Sequence, residues 1–194
     1  MQTDTVTIPS ILSARVIRER TSMNALFVVA ASALIAIAAQ IAINVPLSPV
    51  PLTLQPVAVL FVGAALGSRR GAAAVALYLF EGIIGLPVFA QAHSGAIWLV
   101  GATGGYLLAY PAAAWLAGWF SERGWGSSVL RAIVGMLAAL AVVYAGGWSW
   151  LAILAGPRAA LTMGIVPFVV ADIVKITIAA AMLPYAQRLI ARFS

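Results

Sequence analysis

Residues 169–178 read VVADIVKITI, an apolar run that carries two opposite charges, Asp172 and Lys175, three residues apart. Around it the chain is 63% hydrophobic and 8% charged with a mean hydropathy of +1.06, far from the about 45–50% apolar and 25% charged make-up of soluble domains. The run therefore reads as membrane-embedded. An ionised side chain at bilayer depth costs roughly 2.5–3.5 kcal/mol on insertion scales, so it turns toward a protein-lined cavity and finds a partner. On a helix, positions i and i+3 share a face with Cβ atoms about 5–6 Å apart, so Asp172 and Lys175 partner each other. Two uses compete for such a pair: a structural clamp on neighbouring helices, or the polar floor of a ligand pocket.

Working outward, the sequence divides into six candidate spans at about 23–44, 53–67, 71–86, 98–120, 129–151 and 161–185, each weighed against the roughly 20 apolar residues that cross a bilayer. The expected fold is all-α: a single polytopic membrane domain. Pro46, Pro49, Pro51 and Pro56 rule out a continuous helix after the first span. Residues 1–21 form an expected cytoplasmic tail ahead of an uncleaved span, with Ile8, Ile11, Leu12 and Ile17 available for one face of a short interfacial helix. A continuous last span would carry Asp172 eleven residues inward from Leu161, about 16 Å, to mid-depth.

Arginines set the orientation. Arg15, Arg18 and Arg20 precede the first span, Arg69 and Arg70 lie between the second and third, Arg123 and Arg131 between the fourth and fifth, and Arg188 and Arg192 follow the sixth. The alternate loops carry only His93 and Arg158. This bias predicts both termini in the cytoplasm of a multi-pass protein of the cell (inner) membrane. The net charge of +6 is dispersed between apolar runs, which argues against nucleic acid as a partner. With no Cys and a single His, neither a thiolate nor a histidine metal site is expected. No Ser-His-Asp order, HExxH or GxxxxGK[ST] motif occurs, so the chain holds no recognisable catalytic set and no ATP-hydrolysing phosphate loop.

The segments PVPLTLQ (49–55), LGSRRGAAAVALYLFEGIIGLPVFA (66–90), GATGGYLLAYP (101–111) and ADIVK (171–175) together resemble the BioY family, biotin-binding S components of energy-coupling factor (ECF) vitamin transporters. The resemblance runs from about residue 25 to the C-terminus. It implies a six-helix S-component fold and biotin capture from outside, with biotin as transported ligand and no cofactor. It further implies assembly with a transmembrane coupling protein and cytoplasmic ATPases, with homo-oligomers also possible in principle. The implied substrate-binding positions are Asp172, Lys175, Tyr106, Phe89, His93, Gln55 and Glu81, and the implied partner face on helix one includes Ser32 and Ala36. For Glu81 an internal hydrogen bond competes with a ligand role, and for His93 simple exposure does. A carboxylate and an ammonium on one helix face suit the N–H donors and the carbonyl of a ureido ring, which gives a ring-down pose with the biotin carboxylate near the loops. The opposite pose, with Lys175 on the carboxylate, stays open. Carriage of another vitamin-like solute and an intramembrane enzyme using Glu81, His93 or Asp172 are the rival readings.

Overall fold

A computed structural model describes residues 8–46 and 48–192, with side chains from residue 22 onward. The amphipathic face expected before residue 21 lies outside the described side chains. Its backbone is helical from Ile8, continuous with the first apolar helix, α1 (Ile8–Gln40). The chain then follows the prolines out of helical geometry into a short antiparallel hairpin, β1 (Ala42–Ile43) against β2 (Leu52–Thr53), in the register Ala42↔Thr53. Pro56 falls in the first turn of α2 (Gln55–Leu66), where its missing N–H costs no helical bond. Next come α3 (Ser68–Ile83), α4 (Ile97–Val100), α5 (Gly104–Glu122), α6 (Val129–Ala155), α7 (Pro157–Gly164) and α8 (Val169–Ala191).

Among the described residues three stretches are long and apolar enough to cross a membrane: Ser22–Gln40, Val129–Ala155 and Val169–Ala191. The expected second and third spans are shorter helices, 12 and 16 residues, or about 18 and 24 Å at the helical rise. The fourth and sixth are not continuous. Residues 101–103 separate α4 from α5, where GATGG supplies little side chain to hold a helix, and residues 165–168, including Pro167, separate α7 from α8. The second break places Asp172 in the first turn of α8 rather than within one continuous helix from residue 161.

Small residues let the helices close. A Cβ added to Gly63 of α2 would fall on the Ala114 carbonyl of α5, one on Gly71 of α3 would meet Gly63, and one on Gly105 of α5 would strike α6 at Gly146 and Trp150. This is the small-residue packing of membrane helices. Gly67, at φ 88, turns α2 into α3, and Glu122 accepts hydrogen bonds from the Ser68 N–H (2.7 Å) and hydroxyl (2.9 Å) at the positive end of α3. Ile35, Leu60, Tyr78, Met136, Ile176 and Leu183 form the buried heart, while Val29, Ile37, Leu130, Ile153, Val170 and Ile178 point outward. An apolar exterior around a packed interior suits lipid. Two tryptophans are tied into the bundle: Trp148 donates to the Pro157 carbonyl and Trp150 to that of Gly101.

Gly63→Ala is expected to cost about 1–3 kcal/mol through overpacking. Gly101→Ala, whose added Cβ would meet nothing nearer than 3.6 Å, is expected to be neutral. Thermal unfolding in detergent compares the two.

Candidate functional site

At one end of the bundle α1 ends, and α2, α5 and α8 begin. There the 41–54 hairpin, the 84–103 segment and the 165–168 turn surround a cavity of about 180 Å³. One water needs about 10–15 Å³ by the same measure, so the space suits a small organic molecule. Its wall is mixed. Prolines 49, 51 and 56, Phe89, Trp98, Leu107, Val143 and Phe168 give apolar surface, and Asn44, Gln55, Gln91, His93, Tyr106, Tyr110, Tyr144 and Asp172 give polar atoms.

Asp172 is the electrostatic centre. Its Oδ1 accepts from the Lys175 ammonium at 2.9 Å and its Oδ2 from the Tyr144 hydroxyl at 2.7 Å. Lys175 also donates to the backbone carbonyl of Thr53 at 2.7 Å. The ammonium therefore ties α8 to the strand leading into α2, and Lys175 itself does not line the cavity. A carboxylate offers about four lone-pair sites, so Asp172 keeps acceptor capacity for a ligand after both of these bonds.

Gln55 donates through Nε2 to the Tyr78 hydroxyl (2.9 Å), which donates onward to the Val88 carbonyl (3.2 Å). No buried side-chain oxygen among the described residues lacks a hydrogen bond, so Gln55 Oε1, which has no protein donor, opens into the cavity it lines. Tyr110 also lines the cavity, and its hydroxyl makes no hydrogen bond among the described residues. Tyr106 spends its hydroxyl on the Gly164 carbonyl at 2.7 Å and presents its ring. Phe89 packs edge-on against Tyr78, and His93 stacks on Trp98 with ring centroids 3.9 Å apart. Gln91 and Ala92, beside them, hold left-handed backbone at φ 61 and 57, at a cost of roughly 1–2 kcal/mol each.

Of the expected site residues, Asp172, Tyr106, Phe89, His93 and Gln55 come together around the cavity. Glu81 does not reach it; its Oε2 accepts from the Ser32 hydroxyl at 2.6 Å, the internal bond that competed with a ligand role. Ser32 is fully buried against α3, and Ala36 is partly buried on the core. Tyr110, Tyr144 and Asn44 were not singled out from sequence. Tyr110, next to last in the quoted segment GATGGYLLAYP, follows Tyr106 by one turn, a spacing that places both on one helix face; nothing local marks Tyr144 or Asn44.

The BioY family model matches residues 11–192. A probable biotin transporter BioY of Pyrococcus horikoshii is 39% identical over 168 residues, 87% of this chain and 94% of that one. A biotin transporter BioY of Thermotoga maritima is 40% identical over 139 residues, 71% and 81% of the two chains. A crystal structure of the S-component for biotin from an ECF-type ABC transporter superposes with a TM-score of 0.78, covering 88% of this chain and 92% of that one at 24% identity, a likeness of fold.

Lys175→Met leaves a buried carboxylate without its counter-charge and is expected to destabilise by about 3–5 kcal/mol. The double variant Asp172→Asn/Lys175→Met, which removes both charges, should unfold at a higher temperature than Lys175→Met alone in the same detergent.

Proposed function

The chain belongs to the BioY family, and from that premise we propose that it is the substrate-binding subunit of a biotin importer that takes biotin into the cavity at the 41–54 hairpin. It is a transport protein of the membrane and not an enzyme, and biotin is its cargo rather than a cofactor. The observation that carries the assignment is a polar set on a mixed wall, the Asp172 carboxylate with Gln55 and Tyr110, whose Oε1 and hydroxyl make no hydrogen bond among the described residues. Two acceptors and a donor complement a ureido ring, which offers two N–H groups and one carbonyl. The prolines, Phe89, Tyr106 and Trp98 suit the fused rings and the aliphatic tail.

The pose follows from where charge is already spent. Because Lys175 is engaged by Asp172 and Thr53 and stays off the cavity wall, it fixes the acceptor instead of meeting a ligand carboxylate. The biotin carboxylate then lies toward Asn44 and His93, among the loop residues. A negatively charged ring-side wall also disfavours the reverse pose, since a carboxylate beside Asp172 would meet like charge.

All the helices form one membrane domain of six crossings: α1, α2, α3, the broken pair α4–α5, α6 and the broken pair α7–α8. Arg69, Arg70, Arg123, Arg131, Arg188 and Arg192 lie at the helix ends away from the cavity, and Arg158 and His93 at the cavity end. The bias supports cytoplasmic termini and a cavity facing outward across the cell (inner) membrane. With no phosphate loop in the sequence, uphill import draws on a transmembrane coupling protein and cytoplasmic ATPases.

Calorimetric titration of the purified, ligand-stripped protein should show saturable biotin binding. Asp172→Ala should abolish it, and Tyr110→Phe should weaken it about 2- to 12-fold, the weight of one net hydrogen bond. Biotin amide, which keeps the ureido ring, should retain part of the affinity. Failure of the folded wild type to bind biotin would refute the substrate, and loss of all binding with the amide would refute the pose.

A further inference from the structure

The turn that brings Phe89, Gln91 and His93 to the cavity is held from outside itself. Gln91 and Ala92 occupy the left-handed region consecutively, which residues with a Cβ avoid. The turn's own bonds are few: the Phe89 N–H donates to the His93 carbonyl at 3.0 Å and the His93 N–H to the Ala90 carbonyl at 3.4 Å. Gln40, in the last turn of α1, supplies three more, beside the Tyr78 hydroxyl on the Val88 carbonyl and the Gln91 amide on Asn44. Its Nε2 donates to the carbonyls of Val88 (3.3 Å) and Phe89 (3.1 Å), and its Oε1 accepts from the Ala92 N–H at 2.8 Å. One primary amide thus grips both limbs of the turn. A carboxylate at this position would lose both donors and set negative charge against two carbonyl oxygens, and an alanine would leave the turn to its own weak ladder.

Gln40 does not line the cavity. We propose that it is a positioning residue for ligand binding: it holds the Phe89–His93 turn in its left-handed conformation, so that α1 sets ligand affinity and residence time without touching the ligand. Ser32, Ala36 and Gln40 recur at intervals of four and share one face of α1, and Ser32 is latched to Glu81 of α3 two turns before the clamp. A shift of α1 relative to α3 would therefore be felt at the turn. The inference rests on the biotin reading for its choice of ligand.

The test uses the full chain in detergent and has two readouts, biotin affinity with its dissociation rate, and ligand-free hydrogen exchange across residues 84–96. In Gln40→Ala, exchange at the Ala92 amide should rise and biotin should bind about tenfold more weakly and leave faster, the weight of one or two net hydrogen bonds. The ligand-free melting temperature should stay within about 2 °C, as expected when an exposed tether is lost. Gln40→Glu should bind at least as weakly. Adding Ala92→Gly to Gln40→Ala should recover part of the affinity, because glycine takes the left-handed region without a Cβ penalty, a rescue that general destabilisation would not give. Unchanged exchange, raised exchange with unchanged affinity, or an affinity loss that tracks melting temperature without glycine rescue would each overturn the clamp. Wild type that fails to bind biotin would refute the ligand instead, and the ligand-free exchange then decides the clamp alone.

Discussion

A carboxylate that must stay ionised inside an apolar bundle constrains everything around it. Asp172 meets that constraint with three elements at once: Lys175 from its own helix, Tyr144 from α6 and, through Lys175, the Thr53 carbonyl ahead of α2. Each bond is charge-assisted and shielded from bulk water, where such bonds count for most and where a missing partner is most damaging. The pair thereby fixes the relative placement of α2, α6 and α8. The cavity is the space left between them.

Around that centre, hydrogen bonds continue toward α1. Gln55 bonds Tyr78, Tyr78 bonds the Val88 carbonyl, and Gln40 takes hold of the same carbonyl from the other side. Ligand-contacting surface and helix-positioning contacts are therefore segregated by residue: Gln55 and Tyr110 present free polar atoms to the cavity, whereas Lys175, Tyr78 and Gln40 spend theirs on the frame. In the proposed pose, this division lets the pocket offer polar atoms to a ureido ring while the frame keeps its own hydrogen bonds. The left-handed pair at Gln91–Ala92 is the strained part of that frame, and it borders the ligand space, where stored strain is commonly found.

Much of this was legible in the sequence because it is local. The spacing of Asp172 and Lys175 fixes their contact on any helix, and four prolines in eleven residues end α1 wherever else the chain goes. What was illegible is long-range. Tyr144 meets Asp172 from 28 residues away, and Gln40 meets Ala92 across 52, with no periodicity to announce either. Hydropathy also smoothed over the breaks at 101–103 and 165–168, since an apolar run says how much lipid-compatible surface exists and not whether the backbone is continuous. The small residues of α1 are ambiguous for a related reason: a pattern such as Ser32-xxx-Ala36 reports that something packs closely, and at Ser32 α3 of the same chain does so.

The central claim is that biotin enters ureido-first against Asp172, with Lys175 as the group that fixes this carboxylate. A crystal structure of the protein with biotin bound tests it most directly. The ureido ring is predicted within hydrogen-bonding distance of Asp172 and the Tyr110 hydroxyl, with the Lys175–Thr53 bond intact and the biotin carboxylate near Asn44 and His93. A biotin carboxylate bonded to a Lys175 that has released Thr53, with the ureido ring among the loops, would contradict it.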